Sequence, residues 1–520
     1  MDRAPSRRAW LLASLTPFLA LALFRPWVRQ AFPVWDYPDV IGILRNAPHT
    51  VYQGAKAIAV WNLPTGRANY MSYLHYSATF EAVGSDSIGW QMARALVMLA
   101  GAVLLVLAAR RLGATPLAAA VAAGVWVVAV PSTEGWLLLA GEQIGTVFLL
   151  LTVLAAAGYT TTPAWRVRGV IIALLCACVM LAKEVLGLCL PMVALLAVCW
   201  EPDKGFRRPN FGPRERWLAV LLIIVVALEG WSVASTARNA MTNSYASAFG
   251  SKGFEVDRAI TLFQAMLFPV RFASGGIATT LYPANLAVLV LLVVGLLLPV
   301  RGAARQQRWG WWVVGLLAFP VAGAIVYGLW PRYTSYYGIP FFTGSIGLLA
   351  LAATRITHRG IAGRATVAVL GSVAILFTAV ASARVVRHRQ ATANLALRVT
   401  NALATSPRLD TLLVVTPEQG GRQWPVNASE LHSYAVFMEV PDSLIPVVQD
   451  ASCDAIVRRL QRPLGNSAVL NDQNPCGRIP GTTLTWTEDA TYLDWASMRR
   501  VPVRMRVDLL APSWAPLPGR

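Results

Sequence analysis

Long apolar runs separated by short polar joints fill the first 383 residues of the chain. A bilayer core of about 30 Å needs roughly 20 mostly apolar helical residues. Eleven segments qualify, some only with their flanks: 9–24, 94–109, 114–131, 137–158, 168–182, 185–200, 217–235, 284–300, 310–330, 334–354 and 365–383. The pattern predicts a polytopic α-helical membrane protein with about eleven transmembrane helices. Every second joint is basic. Starting from the N-terminus they carry Arg3, Arg7 and Arg8; Arg110 and Arg111; Arg166 and Arg168; Lys204, Arg207, Arg208, Arg214 and Arg216; Arg301, Arg305 and Arg308; and Arg355, Arg359 and Arg364. The positive-inside rule assigns these joints, and the N-terminus, to the cytoplasm. Residues 25–93 and 236–283 then become large outer loops, and 384–520 an extracytoplasmic tail. The first apolar run follows a basic stretch as a signal peptide would, but no convincing cleavage site precedes Arg25, so it is read as a retained span.

The tail has a different pattern. Residues 384–405 continue the helical spacing of the last span. LDTLLVVT (409–416), SAVLND (467–472), TLTWT (483–487) and VRMRVDLL (503–510) read as strands, and ASCDAIVRRLQR (451–462) reads as a helix. The chain thus divides into a transmembrane domain, 1–383, and a small C-terminal α/β extracytoplasmic domain, 384–520. No repeat period or low-complexity tract interrupts either.

Composition narrows the classes. The 520 residues are 56% hydrophobic and only 14% charged, against about 25% charged in a soluble domain. The net charge of +19 does not imply nucleic acid, because the basic residues sit in the joints between apolar runs. Arginine outnumbers lysine 41 to 4, a bias of GC-rich bacterial coding, which places the protein in a bacterial inner membrane. Cys176, Cys178, Cys189 and Cys199 fall in apolar runs, as small buried hydrophobes do. Cys453 and Cys476 are the tail's pair, and an exported tail would join them in a disulfide, stabilising it by about 3 kcal/mol in the chain-entropy account.

The acids are unevenly placed. Ten of the fourteen before position 384 fall on the outer side or at the outer ends of spans. The positive-inside rule positions bases and constrains acids only weakly, so this clustering indicates an outward-facing polar site. Asp36 and Asp39 follow an aromatic, Pro-rich stretch at the start of a helical pattern. At this spacing they can share a face or cap the helix start. Partial shielding by Trp35 and Tyr37 would raise a carboxylate's proton affinity, as general-base work requires. Glu134 falls in an outer turn and Glu142 about two turns into the fourth span. Lys183 and Glu184 form the hairpin between two short spans. Ionisable groups inside a membrane are expensive and point to function, with mutual pairing as the plain alternative. Arg332 stands among Trp330, Tyr333, Tyr336 and Tyr337: an aromatic belt with an anchor, or a planar donor fork for a phosphate. Arg271 is a second candidate for that role, and His75, between Tyr73 and Tyr76, reads as packing or substrate contact. The sequence contains no Walker A motif, no HExxH and no Cys/His metal set. A divalent ion, Mg or Mn, stays open as a cofactor for the acids.

In order and sidedness these features resemble the GT-C class of integral-membrane glycosyltransferases. The likeness rests on the acidic pair Asp36 and Asp39 in a large first outer loop, and on Glu134 at the outer end of the third span. It continues with the short hairpin of Lys183, Glu184 and Pro191 and the late Arg332–Tyr333 before a proline. Many members carry adjacent or alternate acids, whereas two residues separate these; Asp36 is favoured as the base over Asp39. The resemblance implies an inverting transfer of a sugar from a polyprenyl-phosphate carrier to an acceptor hydroxyl on a cell-envelope glycan, glycolipid or protein. Asp36 and Asp39 would be catalytic, and Arg332, Tyr333, Lys183, Glu184, Glu134, Glu142, Arg271, Tyr337 and His75 would bind substrate. A polysaccharide polymerase or ligase shares the polytopic plan. A secondary transporter would need a polar path through both membrane halves and inverted repeats, which the apolar cytoplasmic halves lack.

Overall fold

A computed structural model of the protein describes residues 6–22, 36–62, 69–137, 141–201, 205–206, 212–239, 253–254, 256–270, 281–298, 303–329, 335–404, 411–415, 447–451, 454, 467–471, 484–494 and 499–509. The chain divides into two compact units, one of Met1–Arg29 with Pro48–Arg384, the other of Gln30–Ala47 with Val385–Arg520.

The first unit is helical. Each of the eleven apolar segments overlaps a helix, but among the described residues five helices are long and apolar enough to cross a membrane, or six with one bent pair, so the expected count of about eleven spans is not reached there. In chain order the unit contains α1 (Arg7–Ala22), α3 (Val51–Asn62), α4 (Tyr70–Val83), α5 (Ser87–Arg111), α6 (Pro116–Val128), α7 (Val130–Leu137), α8 (Gly141–Ala156) and α9 (Trp165–Ala182). It continues with α10 (Leu190–Cys199), α11 (Pro213–Asn239), α12 (Val256–Leu267), α13 (Pro283–Leu297), α14 (Ala303–Gly328), α15 (Ile339–Thr357) and α16 (Ile361–Ala404); the last crosses the division between the units. The α6 helix is almost wholly buried and packs against α1, α5 and α15. Its alanines let neighbours approach, while Trp126 fills the gap and donates from Nε1 to Thr343 Oγ1 at 3.1 Å.

The third segment was expected to end near 131, with Glu134 in a turn. The chain instead bends by 53° at Ala129 and continues as the helix α7 to Leu137. Pro131 explains the break, since it has no N–H to donate and its ring crowds the preceding turn. The groups freed at the bend find partners elsewhere: Val130 N donates to Pro269 O at 3.0 Å, and Val128 O accepts from Ser382 Oγ at 2.6 Å. Non-helical backbone at membrane depth persists only where it is satisfied in this way.

The opposite end of the unit holds the basic joints, and its arginines bond helix ends. Arg168 donates to Ala155 O at 2.6 Å and Ala157 O at 2.9 Å, where α8 finishes. Arg355 donates to Leu296 O at 3.1 Å and also to Leu298 O, at the end of α13. Arg214 reaches Thr160 O. These carbonyls have no partner within their own helix, and a cation there also complements the helix dipole.

The second unit contains α2 (Asp36–Asn46), the last turns of α16 and a five-stranded sheet. Its strands are β3 (Thr411–Val415), β4 (Val447–Ala451), β5 (Ser467–Asn471), β6 (Leu484–Asp494) and β7 (Arg499–Leu509), ordered β4-β3-β5-β7-β6. The β3 strand pairs in parallel with β4 and β5, whereas β7 runs antiparallel to β5 and β6. The first unit also carries a two-residue hairpin of β1 (Trp200–Glu201) and β2 (Gly205–Phe206). Four of these strands fall where the alternating pattern lies. Ala451, the first residue of the helix expected at 451–462, instead ends β4, and of the remainder only Asp454 is described, as helical; the Cys453–Cys476 pair lies outside the described residues.

Candidate functional site

At the end of the helical unit away from the basic joints, α4, α8 and α9 meet backbone to backbone. Ser72 Oγ on α4 donates to Ala182 O, the last residue of α9, at 2.8 Å. Gly141 opens α8 against the same point: a Cβ there would lie 2.6 Å from Ser72 Oγ and 2.7 Å from Ala182 O. One turn on, a Cβ at Gly145 would lie 2.2 Å from Leu186 Cδ1. At Gly141 the main-chain carbonyl requires glycine, whereas at Gly145 the obstacle is the end of the Leu186 side chain, which can turn away. The chain then leaves α9 through Lys183, extended at φ −164° and ψ 123°, into a 3-10 segment, Glu184–Cys189, that leads to α10.

The close approach sets two polar pairs. Glu142, in the first turn of α8 and 1% exposed, has Oε1 3.6 Å from Lys183 Nζ. Lys183 keeps 16% of its side chain exposed, and its Nζ stands 5.6 Å from the Tyr337 ring centroid. Tyr337 in turn stacks on Tyr327, centroids 5.3 Å apart and planes 7° from parallel. Asn69, just before α4, donates to both carboxylate oxygens of Glu184 at 3.0 Å with its amide nitrogen turned toward them. A buried ion pair adds little net stability, but removing one partner strands the other charge at about 3–5 kcal/mol.

Arg94 is a second cationic element, one that the sequence pattern does not single out. It sits two turns into α5 and is 1% exposed. Its guanidinium donates to Gly135 O at 2.5 Å and lies 6.0 Å from the Tyr76 ring centroid. Its own carbonyl accepts from Gln143 Nε2 at 3.3 Å, and Trp136 Nε1 donates to Gln91 O at 2.8 Å. Beside it, burial and then the Arg94 charge push the His75 imidazole down to about 3, so it is neutral at physiological pH. Glu134, the residue before Gly135, is buried.

Of the sequence candidates, Glu134, Glu142, Lys183, Glu184, Tyr337 and His75 therefore lie at one end of the helical unit. Glu134 is in a helix, and Glu142 is in the first turn of α8 rather than two turns in. Asp36 and Asp39 occupy the first turn of α2, in the other unit; Asp39 is half-buried, and Val40, Ile41 and Leu44 further along α2 are buried. Arg332, Tyr333 and Arg271 lie outside the described residues. No group of three His, Cys, Asp or Glu side chains that could hold a metal ion occurs among the described residues.

No protein-family model and no curated protein matches the chain. Solved structures do. The crystal structure of ArnT from Cupriavidus metallidurans bound to undecaprenyl phosphate aligns over 98% of this chain and 100% of its own, at 12% identity and a TM-score of 0.52. The apo-state structure of the same protein aligns over 97% and 98%, at 12% identity and a TM-score of 0.50. The chain has the GT-C fold. At the α4–α8–α9 junction the polar pairs provide a partly exposed ammonium beside an aromatic ring, and a glutamate fixed by an amide. Such a set can receive an anion at Lys183 while the neighbouring carboxylates keep their own partners.

Proposed function

We propose that the protein is an inverting glycosyltransferase that moves a sugar from a polyprenyl-phosphate carrier to an acceptor hydroxyl at the outer face of a bacterial inner membrane. The GT-C fold over nearly the whole chain, shared with a structure that holds undecaprenyl phosphate, carries this reading. On it, Asp36, aided by Asp39, takes the acceptor proton as the hydroxyl oxygen bonds to the anomeric carbon. The bond from that carbon to the phosphate oxygen breaks on the opposite side, and the electron pair leaves with the polyprenyl phosphate. The leaving phosphate gains a negative charge, so a cation in a water-poor site lowers the barrier. Lys183 supports that role by its mostly buried but still accessible position over Tyr337, with Arg332 and Arg271 as its partners. The acceptor is a cell-envelope glycan, glycolipid or protein. The N-terminus is cytoplasmic, and residues 384–520 form an extracytoplasmic α/β domain stapled by Cys453–Cys476.

The test is transfer by the purified protein in lipid nanodiscs, with a radiolabelled undecaprenyl-phosphate sugar as donor and envelope lipid extract as acceptor. Labelled product, together with undecaprenyl phosphate binding that weakens in Lys183→Met, is the expected outcome. Absence of both binding and transfer refutes the reading.

A further inference from the structure

Three candidate residues, His75, Glu134 and Glu142, lie on three different helices, and each is followed in sequence by a residue bonded or stacked on Arg94. Tyr76 follows His75 and faces the guanidinium at 6.0 Å. Gly135 follows Glu134 and accepts from the guanidinium at 2.5 Å. Gln143 follows Glu142 and donates to the Arg94 carbonyl at 3.3 Å. A fourth contact, Trp136 Nε1 to Gln91 O at 2.8 Å, fastens α7 to α5 one turn before Arg94.

The short α7 depends on these contacts. It has eight residues and is cut from α6 by the 53° bend. A helix of that length has no stability of its own. Its end is therefore placed by what bonds it, and the bonding group is a fully buried arginine.

We infer that Arg94 is a positioning residue for the transfer reaction, its guanidinium holding in place the α7 backbone that carries Glu134. This rests on the glycosyltransferase reading and deepens it. The planar fork matters because it bonds a carbonyl at one edge while its face lies against Tyr76; an ammonium meets only the first demand.

Wild type, Arg94→Lys, Arg94→Gln and Tyr76→Leu are compared in nanodiscs for kcat, donor KM and hydrogen exchange of residues 135–137. A misplacement of about 1 Å costs on the order of 10²-fold in rate. Arg94→Gln is expected to lower kcat by about that factor with donor KM within about twofold, and to speed exchange at 135–137. Arg94→Lys should regain about tenfold of the loss by keeping charge and one donor. Tyr76→Leu removes only the ring beside the guanidinium and should lower kcat by a smaller factor, less than about tenfold; it decides the matter should Arg94→Gln fail to fold. Folded variants with wild-type kcat overturn the inference, whatever their melting temperature, as does a loss confined to KM or one that Lys does not relieve. A wild-type protein without donor binding or transfer sinks the glycosyltransferase reading instead, so the two failures are told apart.

Discussion

Gly141→Ala tests whether the α4–α8–α9 junction sets the polar site. The added Cβ would lie 2.6 Å from Ser72 Oγ and 2.7 Å from Ala182 O. Ordinary contact begins near 3.4 Å, so α8 must move away by about 0.7 Å or the Ser72–Ala182 hydrogen bond must break. Overpacking of this kind costs about 1–3 kcal/mol. Because one of the two obstacles is a main-chain carbonyl, rotation of Ser72 removes only half the problem. The double variant Ser72→Ala/Gly141→Ala should therefore recover part of the loss, not all of it. Gly230→Ala is the control: it adds a methyl at a helical position with nothing within 4 Å, and helix propensity alone should make it neutral or slightly stabilising. Thermal unfolding in nanodiscs at one fixed scan rate, with undecaprenyl phosphate binding beside it, reads both effects. Gly141→Ala should melt below wild type and bind lipid more weakly, since the shift separates Glu142 from Lys183. If it matches Gly230→Ala in melting and wild type in binding, the junction does not set the site.

Three further outcomes follow from the chain. His75 is held neutral in the fold down to about pH 3, so its contribution to stability is full above the unfolded value of about 6.5. That contribution is lost as pH falls toward 3, and His75→Phe should melt with less loss between pH 7 and pH 4.5 than wild type. Asp36→Asn should lower sugar transfer by about 10²–10⁴-fold in a folded protein, with Asp39→Asn losing less; wild-type rates in both would return the pair to helix capping, which Asn performs as well as Asp. Cys453 and Cys476 should resist alkylation in protein isolated without reductant; free reactivity of both thiols would overturn the exported tail.

The bundle was legible because apolar length and basic joints are one-dimensional signals. All the expected spans fall on helices, and the strands near 411, 467, 484 and 503 fall where alternation is strongest. The bend at Ala129 was half visible: Pro131 marks a break, but only tertiary partners such as Ser382 and Pro269 decide that the chain resumes as a helix. Individual acids and Lys183 stood out by cost, since ionisable groups in apolar runs are rare. Their pairing did not, because it depends on two glycines and a serine allowing three backbones to touch. Arg94 was overlooked because it was assigned to the edge of an apolar run. Its signal was depth, two turns inside a helix that begins at Ser87. Asn69 had no such signal; an amide beside a loop has no pattern until Glu184 is found next to it.

The arginines of the basic end are read twice during the life of the protein. While the chain is being inserted, the translocation machinery and the membrane potential sense only their charge, and lysine would serve equally. Once the helices have assembled, Arg168 serves three carbonyls and Arg355 two at the end of a neighbouring helix, which needs the guanidinium's spread of donors. A lysine in either place would give a chain that threads correctly and then docks poorly. On the proposed orientation, insertion and assembly would be separable demands on the same side chains, and lysine at Arg168 or Arg355 would be expected to fail the second alone.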